Sequence, residues 1–395
     1  MGNSLVKSSG QNLHHMLTEA PWEYEDLFSK IRQRCIRRLR AQKQKIYILI
    51  DEVGFRKKGK QSACVGQQYI GSIGKNDNGQ VAVTAALSAG DFYCPVEMEL
   101  FMPDNWQDDF VRRENCAIPH WKKHESKTVM ALRMIKSLFK KLTQDVECVV
   151  FDALYGSHID LIVQLKAKRI PFVGDIRENL NVFLSEPSWK MPKYSGRGRR
   201  ALKEKPSRTP VQVRDYMQSL TRKDFELLAI RNGTKGQLKA RYHLRKVWVL
   251  HEATDAFVEM HLLIRKDVDG RIKYALGDFP GRTNIKRMAK AQAQRVFVER
   301  IFEEGKNIAG MADYQVRSWN GFHRHVALSS LALLFIMEQK LLLKRTVKKL
   351  TAYNIQELVN ATIATISSLE QTVKKVACQI KRYQHQVENQ LKTVT

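Results

Sequence analysis

Three carboxylates and two cations in this sequence have the types and surroundings that phosphate chemistry needs. Asp51 closes the run IYILID and Asp152 closes the run ECVVFD, so each acid follows residues typical of a buried β-strand. Further along, RVFVERIFEEGK spaces Arg295, Glu299 and Lys306 so that on one helix they would share a polar stripe beside a buried face. Alone, that triple would indicate a solvent-exposed helix with ion pairs. The two strand-end acids favour a functional site instead.

Together these groups would support metal-dependent chemistry. Asp51, Asp152 and Glu299 could hold two Mg²⁺ ions, which prefer hard oxygen ligands and leave positions open for phosphate and water; Mn²⁺ could substitute. The reaction implied is in-line attack at a phosphodiester. Glu52 and Glu303 are the rival acids. Because adjacent strand residues point to opposite faces, Asp51 and Glu52 cannot both face the site.

Several cations are candidate DNA contacts. Arg295 and Lys306 would clamp phosphates or neutralise charge in the transition state. A basic group just after the first acid would hold the DNA backbone, although a solvated charged turn explains it equally well; it consists of Lys57, Lys58 and Lys60. A second group, in GRGRR, would follow the DNA backbone; it consists of Arg197, Arg199 and Arg200.

Two further motifs have both a structural and a functional interpretation. His323 and His325 in GFHRH could ligate a metal, but two His in a basic segment more often make structural or phosphate contacts. Trp248 in KVWVL could stack on an unpaired base. A core position is the commoner role for such a Trp.

The composition favours a polyanionic partner. Lys plus Arg number 67 against 40 Asp plus Glu, which gives a net charge of +27. No apolar run reaches the roughly 18 residues of a membrane span. Val6 stands where a myristoylation signal needs Ser or Thr, and no secretory signal is visible. The six Cys have no metal-type spacing and indicate buried or free thiols in a reducing compartment.

The order of predicted elements indicates an α/β fold with an RNase H-like core. The first part, to about Gln44, is predicted to be helical. Three strands in an antiparallel meander should follow, then a helix, a strand ending at Asp152, a second helix and the strand PFVGDI. The predicted strands and first helix are Ile46–Ile50, Ala63–Ile70, Val81–Leu87 and Lys127–Leu142.

The later part should interrupt and then complete this core. We expect a basic loop and a β-rich insertion, then the helix with Glu299, an apolar packing helix from about Val326, and an amphipathic tail. That tail would either pack on the core or support dimerisation. The predicted segments are 1–44 (helical, basic), 45–185 (first part of the core), 186–290 (loop and insertion), 291–341 (Glu helix and packing helix) and 342–395 (helical tail).

Long ordered motifs carry a family resemblance. DEVGFRKKGKQSACVGQQYIGSIGK, ELFMPDNW, VVFDALYG, GRGRR, RVFVERIFEEGK and DYQVRSWNGFHRH resemble bacterial insertion-sequence DDE transposases. The similarity is to the IS-seven-hundred-and-one group of the IS-four superfamily. It implies a catalytic triad of Asp51, Asp152 and Glu299 on an RNase H-like fold, and it selects Asp51 over Glu52.

The sequence departs from the family pattern in two places. The family's signature around the third acid has a Tyr where this chain has Gln292. Family members usually carry a longer helical segment before the first Asp, so we expect either a reduced N-terminal module or a reading frame that starts inside an older gene.

The resemblance implies a DNA transposase that cuts double-stranded DNA at the element's ends and joins them to target DNA. Synapsis implies a homodimer, without a membrane partner, in the bacterial cytoplasm near the nucleoid. The alternatives are a catalytically inactive or domesticated DNA-binding relative, and an RNase H-like nuclease without strand transfer.

Overall fold

In the computed structural model the chain forms two compact units. The first consists of Met1–Ile46, Ile50–Met134 and Val296–Thr395, and the second of Tyr47–Leu49 and Ile135–Arg295. The structure describes residues 10–193, 196, 201–233, 236–344, 346–347, 350–364 and 369–392. Arg197, Arg199 and Arg200 of the predicted basic cluster lie outside the described residues.

The described chain begins with two helices and continues with strands and helices. The chain begins with α1 (Gly10–Thr18), α2 (Tyr24–Ala41), β1 (Ile46–Arg56), β2 (Gly66–Ile70), β3 (Lys75–Ala89), β4 (Phe92–Leu100), α3 (Phe110–Asn115) and α4 (Lys127–Leu142). It continues with β5 (Val146–Phe151), α5 (Ala153–Gly156), α6 (Ile159–Ala167), β6 (Phe172–Ile176), β7 (Asn181–Val182), β8 (Trp189–Lys190), β9 (Lys205–Pro206), β10 (Val211–Gln212) and α7 (Val213–Gln218). The remaining elements are β11 (Glu226–Gly233), β12 (Gly236–His251), β13 (Ala256–Lys266), β14 (Ile272–Asp278), α8 (Ile285–Ala293), α9 (Val296–Asn307), α10 (Trp319–Leu343), α11 (Ala352–Ala364) and α12 (Leu369–Lys392).

The sheet of the first unit is built around β3. β1 is its neighbour on one side, while β2 pairs antiparallel with its first part and β4 with its second part. α2 and α10 pack on β4, and residues 79–89 of β3 are buried throughout, so both faces of β3 are covered there.

The predicted meander is therefore wrong in its order and lacks one strand. β1 lies beside β3 and not beside β2, and β4 was not predicted. The sequence of β4 contains Pro95, which argues against a strand because Pro cannot donate to the ladder. In the structure Pro95 lies opposite Ala86, next to a register shift after Ala85 that accommodates it.

The sheet of the second unit has the order β11–β12–β13–β14–β6–β5, followed by Tyr47–Leu49 of β1. β5 and β6 are parallel, whereas β14 pairs antiparallel with β6 and the four strands β11–β14 form an antiparallel meander. The strand-rich stretch that follows the basic loop thus extends the sheet through β14.

The predicted amphipathic tail forms the helix pair α11 and α12. Ile355 and Leu358 of α11 and Val376 of α12 share a buried cluster with Ile308 of α9 and Ile336 of α10. This packing on the first unit supports the structural interpretation of the tail. All six cysteines are free, as predicted; Cys378 is exposed and the other five are buried.

Helix α10 is the one helix among the described residues with the length and hydropathy of a membrane span. Half of its apolar window is buried inside the protein. Its buried residues include His323, Arg324 and Glu338, each bonded to a partner within the first unit. These contacts identify α10 as a core helix of that unit.

Candidate active site

The first acid lies within β1 and not at its end. β1 continues past Asp51 to Arg56, so the prediction that the strand stops at the acid is wrong. The Oδ1 atom of Asp51 accepts a hydrogen bond of 2.7 Å from the backbone N–H of Glu52. The Glu52 carboxylate is 2.6 Å from Lys127 Nζ, and this ion pair engages the rival acid on the opposite face of the strand.

Arg295 and Glu299 do not share one helix, contrary to the predicted polar stripe. α8 ends at Ala293, and the backbone N–H of Arg295 bonds to Gln292 O in a turn before α9 starts at Val296. The boundary between the two units falls in this turn. Glu299 therefore stands exposed in the first turn of α9, where the helix dipole favours a negative charge.

Lys306 ties α9 to β1 within the first unit. Its Nζ donates a hydrogen bond of 3.1 Å to Gly54 O and lies 5.6 Å from the centre of the Phe55 ring. Burial lowers the pKa of Lys306. The structure thus places the helix that carries Glu299 against the strand that carries Asp51.

Asp152 follows β5 directly, as predicted, and caps the short helix α5. Its Oδ1 accepts hydrogen bonds from the backbone N–H groups of Leu154 and Tyr155, at 3.0 and 3.3 Å. Burial raises the pKa of the Asp152 carboxyl, and Arg295 and the two N–H donors only partly oppose the rise. Within the described part of the chain no hydrogen bond engages Oδ2, which suits this carboxylate to a cation.

A second acid, which the sequence interpretation missed, lies beside Asp152. In the parallel ladder of β5 and β6, Phe151 is opposite Gly174, so Asp152 and Asp175 are next to each other. Asp175 is 8% exposed and accepts hydrogen bonds from Gln292 and Arg295. The sequence could have indicated this acid, because Asp175 lies near the end of the predicted strand PFVGDI.

Two glycines permit this close packing. A Cβ on Gly156 would overlap the carbonyl oxygen of Asp175, and one on Gly174 would overlap the Phe151 ring. α5 can therefore lie directly against β6, which fixes the position of Asp152 at its N-terminus.

The three lysines after the first acid differ in their surroundings. Lys57 Nζ donates to Tyr314 O at 3.1 Å and lies 4.1 Å from the centre of the Tyr314 ring, and burial lowers its pKa to about 8. Lys58 and Lys60 are exposed. Asn78 Nδ2 donates to the carbonyl groups of Lys57 and Gly59, so β3 holds the turn in place.

The histidines of GFHRH make structural contacts. His323 Nε2 accepts a hydrogen bond of 3.2 Å from Leu100 N–H, so Nδ1 carries the proton and donates to Trp319 O at 2.8 Å. His325 Nε2 lies 3.0 Å from Gly310 O. Both nitrogens of His323 are thus engaged and no metal can bind there. Trp248 is half-buried, and its backbone pairs with Phe183.

The buried imidazole of His323 should lower the free energy of unfolding in mild acid. Burial lowers its pKa to about 4, against about 6.5 in the unfolded chain. Because the unfolded state takes up the proton first, the free energy of unfolding falls as pH drops from 6.5 towards 4. We expect a loss of about 2 kcal/mol between pH 7 and 5. His323→Gln should remove this part of the pH dependence in urea denaturation, whereas exposed His14→Gln should not; equal pH dependence in wild type and His323→Gln would contradict the assignment.

The predicted triad is distributed over both units. Asp51 and Glu299 belong to the first unit, and Asp152 belongs to the second. Among the described residues no group of three or more His, Cys, Asp or Glu is gathered to hold a metal ion. The donor set is nevertheless of one kind, carboxylate oxygen, which suits a hard divalent cation.

The chain thus has a mixed α/β fold with acids on β1 and directly after β5, and a net charge of +27. Residues 3–237 match the family described as DDE superfamily endonuclease, and the chain belongs to that family. The match includes Asp51 and Asp152 and ends before Glu299.

A named relative agrees with this family. Over 170 residues the chain is 32% identical to a Microchaete diplosiphon protein named "Probable transposase for insertion sequence element IS701". That similarity covers 43% of this chain and 41% of the relative. Among solved structures, a piggyBac transposase synaptic complex with hairpin DNA aligns over 85% of this chain and 57% of that chain, with 10% identity and a TM-score of 0.34.

Proposed function

We propose that the protein is a DNA transposase that cuts phosphodiester bonds at the ends of an insertion sequence and joins the freed 3′-hydroxyl to target DNA. The observation that carries the proposal is the position of Asp152. It is a half-buried acid at the carboxyl end of β5, within the part of the chain that matches the DDE family. Ligands of open α/β sheets bind at this edge.

The strand order supports an RNase H-like core. The first unit has the order β4–β3–β1, and the second has β1–β5–β6 with β5 and β6 parallel. Along the chain, β1, β3 and β4 are followed by α4, β5, α6 and β6, with Asp51 on β1 and Asp152 directly after β5. Strands β11–β14 then form the β-rich insertion before the helix that carries Glu299.

Asp51, Asp152 and Glu299 would hold two Mg²⁺ ions, or Mn²⁺ in their place. The bound ions would supply activation of the attacking oxygen and stabilisation of the leaving oxygen. The chain's own residues orient these carboxylates: α5 fixes Asp152 through two N–H donors, and Lys306 anchors α9 to β1.

Double-stranded DNA, as element ends and as target, is the proposed partner, because the chain is strongly basic. A homodimer in the bacterial cytoplasm, associated with the nucleoid, would bring two ends together.

The test is incubation of wild-type protein with Mg²⁺ and labelled DNA that carries the gene's own flanking ends. Specific nicks at those ends together with joined strand-transfer products would support the transposase. Nicks without joined products would indicate an RNase H-like nuclease. Specific binding without any cutting would indicate an inactive or domesticated DNA-binding relative.

Lys58 and Lys60 are expected to contact the DNA backbone, whereas Lys57 is expected to act in folding. Lys58→Gln/Lys60→Gln should reduce the slope of log K against log salt concentration by about 1.8, since each phosphate contact contributes about 0.9. Lys57→Gln should lower stability instead, because its ammonium is bonded inside the protein. Fluorescence anisotropy with a labelled duplex at several KCl concentrations measures the slope.

The control for these lysines is Lys140→Gln/Lys141→Gln, which removes two exposed cations near the end of α4. An equal reduction of the slope in both double variants would show that net charge, and not the turn after β1, determines the effect.

A further inference from the structure

The carboxylate of Asp175 is bonded on both of its oxygens. Oδ1 accepts a hydrogen bond of 2.9 Å from Gln292 Nε2, and Oδ2 accepts one of 2.8 Å from Arg295 Nη1. The exposed fraction of the Asp175 side chain is 10%, against 23% for Arg295. A buried acceptor held from two sides has one orientation, and a charge-assisted bond to it restricts the guanidinium of Arg295 as well.

This arrangement lies beside the carboxylate of Asp152. Phe151 of β5 lies opposite Gly174 of β6, so the residues that follow them, Asp152 and Asp175, are neighbours. Their charges interact: beside the dominant effect of burial, Arg295 lowers the pKa of Asp152 and Asp175 raises it. Arg295 thus forms an ion pair with Asp175, and its charge also acts on the nearby Asp152.

We infer that Asp175 is a positioning residue, which holds the guanidinium of Arg295 beside Asp152 and is itself held by Gln292. The inference rests on the proposed function, since Arg295 would meet DNA phosphate at this site. A side chain that is already ordered loses less conformational entropy when DNA binds. In this chain, position 292 contributes an amide donor to Asp175 where the resembling family has a Tyr.

Asp175→Asn removes the negative charge and one acceptor oxygen of this side chain and keeps its size and shape. Asn offers one acceptor oxygen where Gln292 and Arg295 each donate, so the hold on Arg295 should be lost. The matched control is Glu147→Gln, since Glu147 Oε1 accepts from Arg287 Nε at 2.8 Å and also joins β5 to α8. Glu147 lies five residues before Asp152, about 17 Å along the strand.

The first measurement needs no activity. In ¹⁵N-arginine-labelled, DNA-free protein, an ordered Arg295 should give a shifted side-chain N–H signal, assigned by its absence in Arg295→Lys. Asp175→Asn should return that signal to the position of a mobile arginine, while Glu147→Gln leaves it in place. Both variants should keep the wild-type circular dichroism spectrum. An unchanged Arg295 signal in Asp175→Asn would overturn the inference.

The second measurement is single-turnover cleavage of end DNA in a double-mutant cycle. Asp175→Asn should slow cleavage about 10- to 100-fold, the range typical of residues that orient a functional side chain. In an Arg295→Gln background the same change should cost nothing further, because its effect passes through Arg295. An equal loss in both backgrounds would overturn the inference.

A rescue variant adds a readout that a purely structural role would not show. In Asp175→Asn/Gln292→Glu the acid and the amide exchange places, so a negative charge is again near Arg295. Part of the cleavage rate that Asp175→Asn loses should therefore return. If wild-type protein never cuts DNA while the Arg295 signal responds to Asp175→Asn, the proposed function fails and the positioning of Arg295 by Asp175 stands.

Discussion

Replacing Asp152 by Asn is expected to slow the proposed Mg²⁺-dependent cleavage at the element's ends by about 1000-fold or more. That factor corresponds to about 4 kcal/mol of lost transition-state stabilisation. Asn is as good a helix N-cap as Asp, so its side-chain oxygen can keep the bonds to Leu154 and Tyr155 N–H. The change therefore removes a negative charge and a metal ligand while α5 stays in place.

Glu299→Gln should cause a loss of similar size in the same single-turnover assay. Glu299 is exposed in the first turn of α9, so the amide fits without repacking the helix. Circular dichroism and the melting temperature of both variants should match those of wild type.

The rival acids provide the controls. Glu303 is exposed one turn further along α9, and Glu52 is paired with Lys127. Glu303→Gln and Glu52→Gln should keep most of the wild-type rate. A rival variant as inactive as Glu299→Gln would show that the acids are wrongly assigned, and a fully active Asp152→Asn would refute metal-dependent cleavage at this site.

Lys122→Met is expected to destabilise the first unit by about 2 kcal/mol, because it removes the buried ammonium that pairs with Glu99 Oε1 and leaves Arg133, 2.8 Å from Oε2, as the remaining cation at that carboxylate. The Lys122 side chain is 3% exposed, and its Nζ is 2.6 Å from Glu99 Oε1 and 3.4 Å from Glu125 Oε2. Burial raises the pKa of Glu99, and Lys122 and Arg133 outweigh burial and hold it below its usual range. Urea denaturation followed by tryptophan fluorescence measures the loss.

Two variants test whether the buried pair causes this loss. Lys122→Met/Glu99→Gln should be more stable than Lys122→Met alone, since the neutral amide no longer leaves a charged oxygen without the Lys122 ammonium. Lys344→Met breaks an ion pair with Asp91 whose side chains are 58% and 61% exposed, and it should change stability by at most about 1 kcal/mol. Equal losses for Lys122→Met and Lys344→Met would contradict the role of burial.

Local patterns predicted several parts of the fold because their causes lie within a few residues. Apolar and β-branched runs marked β1 and β5, and the run ECVVFD placed Asp152 at a strand end. Helical periodicity marked α4, α10 and the tail helices. The same local reasoning failed at β4. Pro95 argues against a strand there, but a neighbouring bulge accommodates this residue.

The ends of elements depended on partners distant in sequence. β1 continues past Asp51 because β3 lies beside it; beyond the strand, Lys57 N–H still bonds to Asn78 O. The stripe of Arg295 and Glu299 was predicted from helical spacing alone. Spacing could not show that the helix breaks after Ala293, where one unit ends and the other begins.

The sequence by itself determined the α/β class, the basic character of the chain, its DDE-family motifs and the strand-end position of Asp152. All of these depend on composition or on neighbouring residues. Only the tertiary structure decided that Lys57 is bonded inside the protein while Lys58 and Lys60 are exposed. It also joined Asp175 to Gln292 and Arg295, which are 117 and 120 residues away along the chain. Contacts over such separations depend on how strands and helices pack, and no local pattern encodes them.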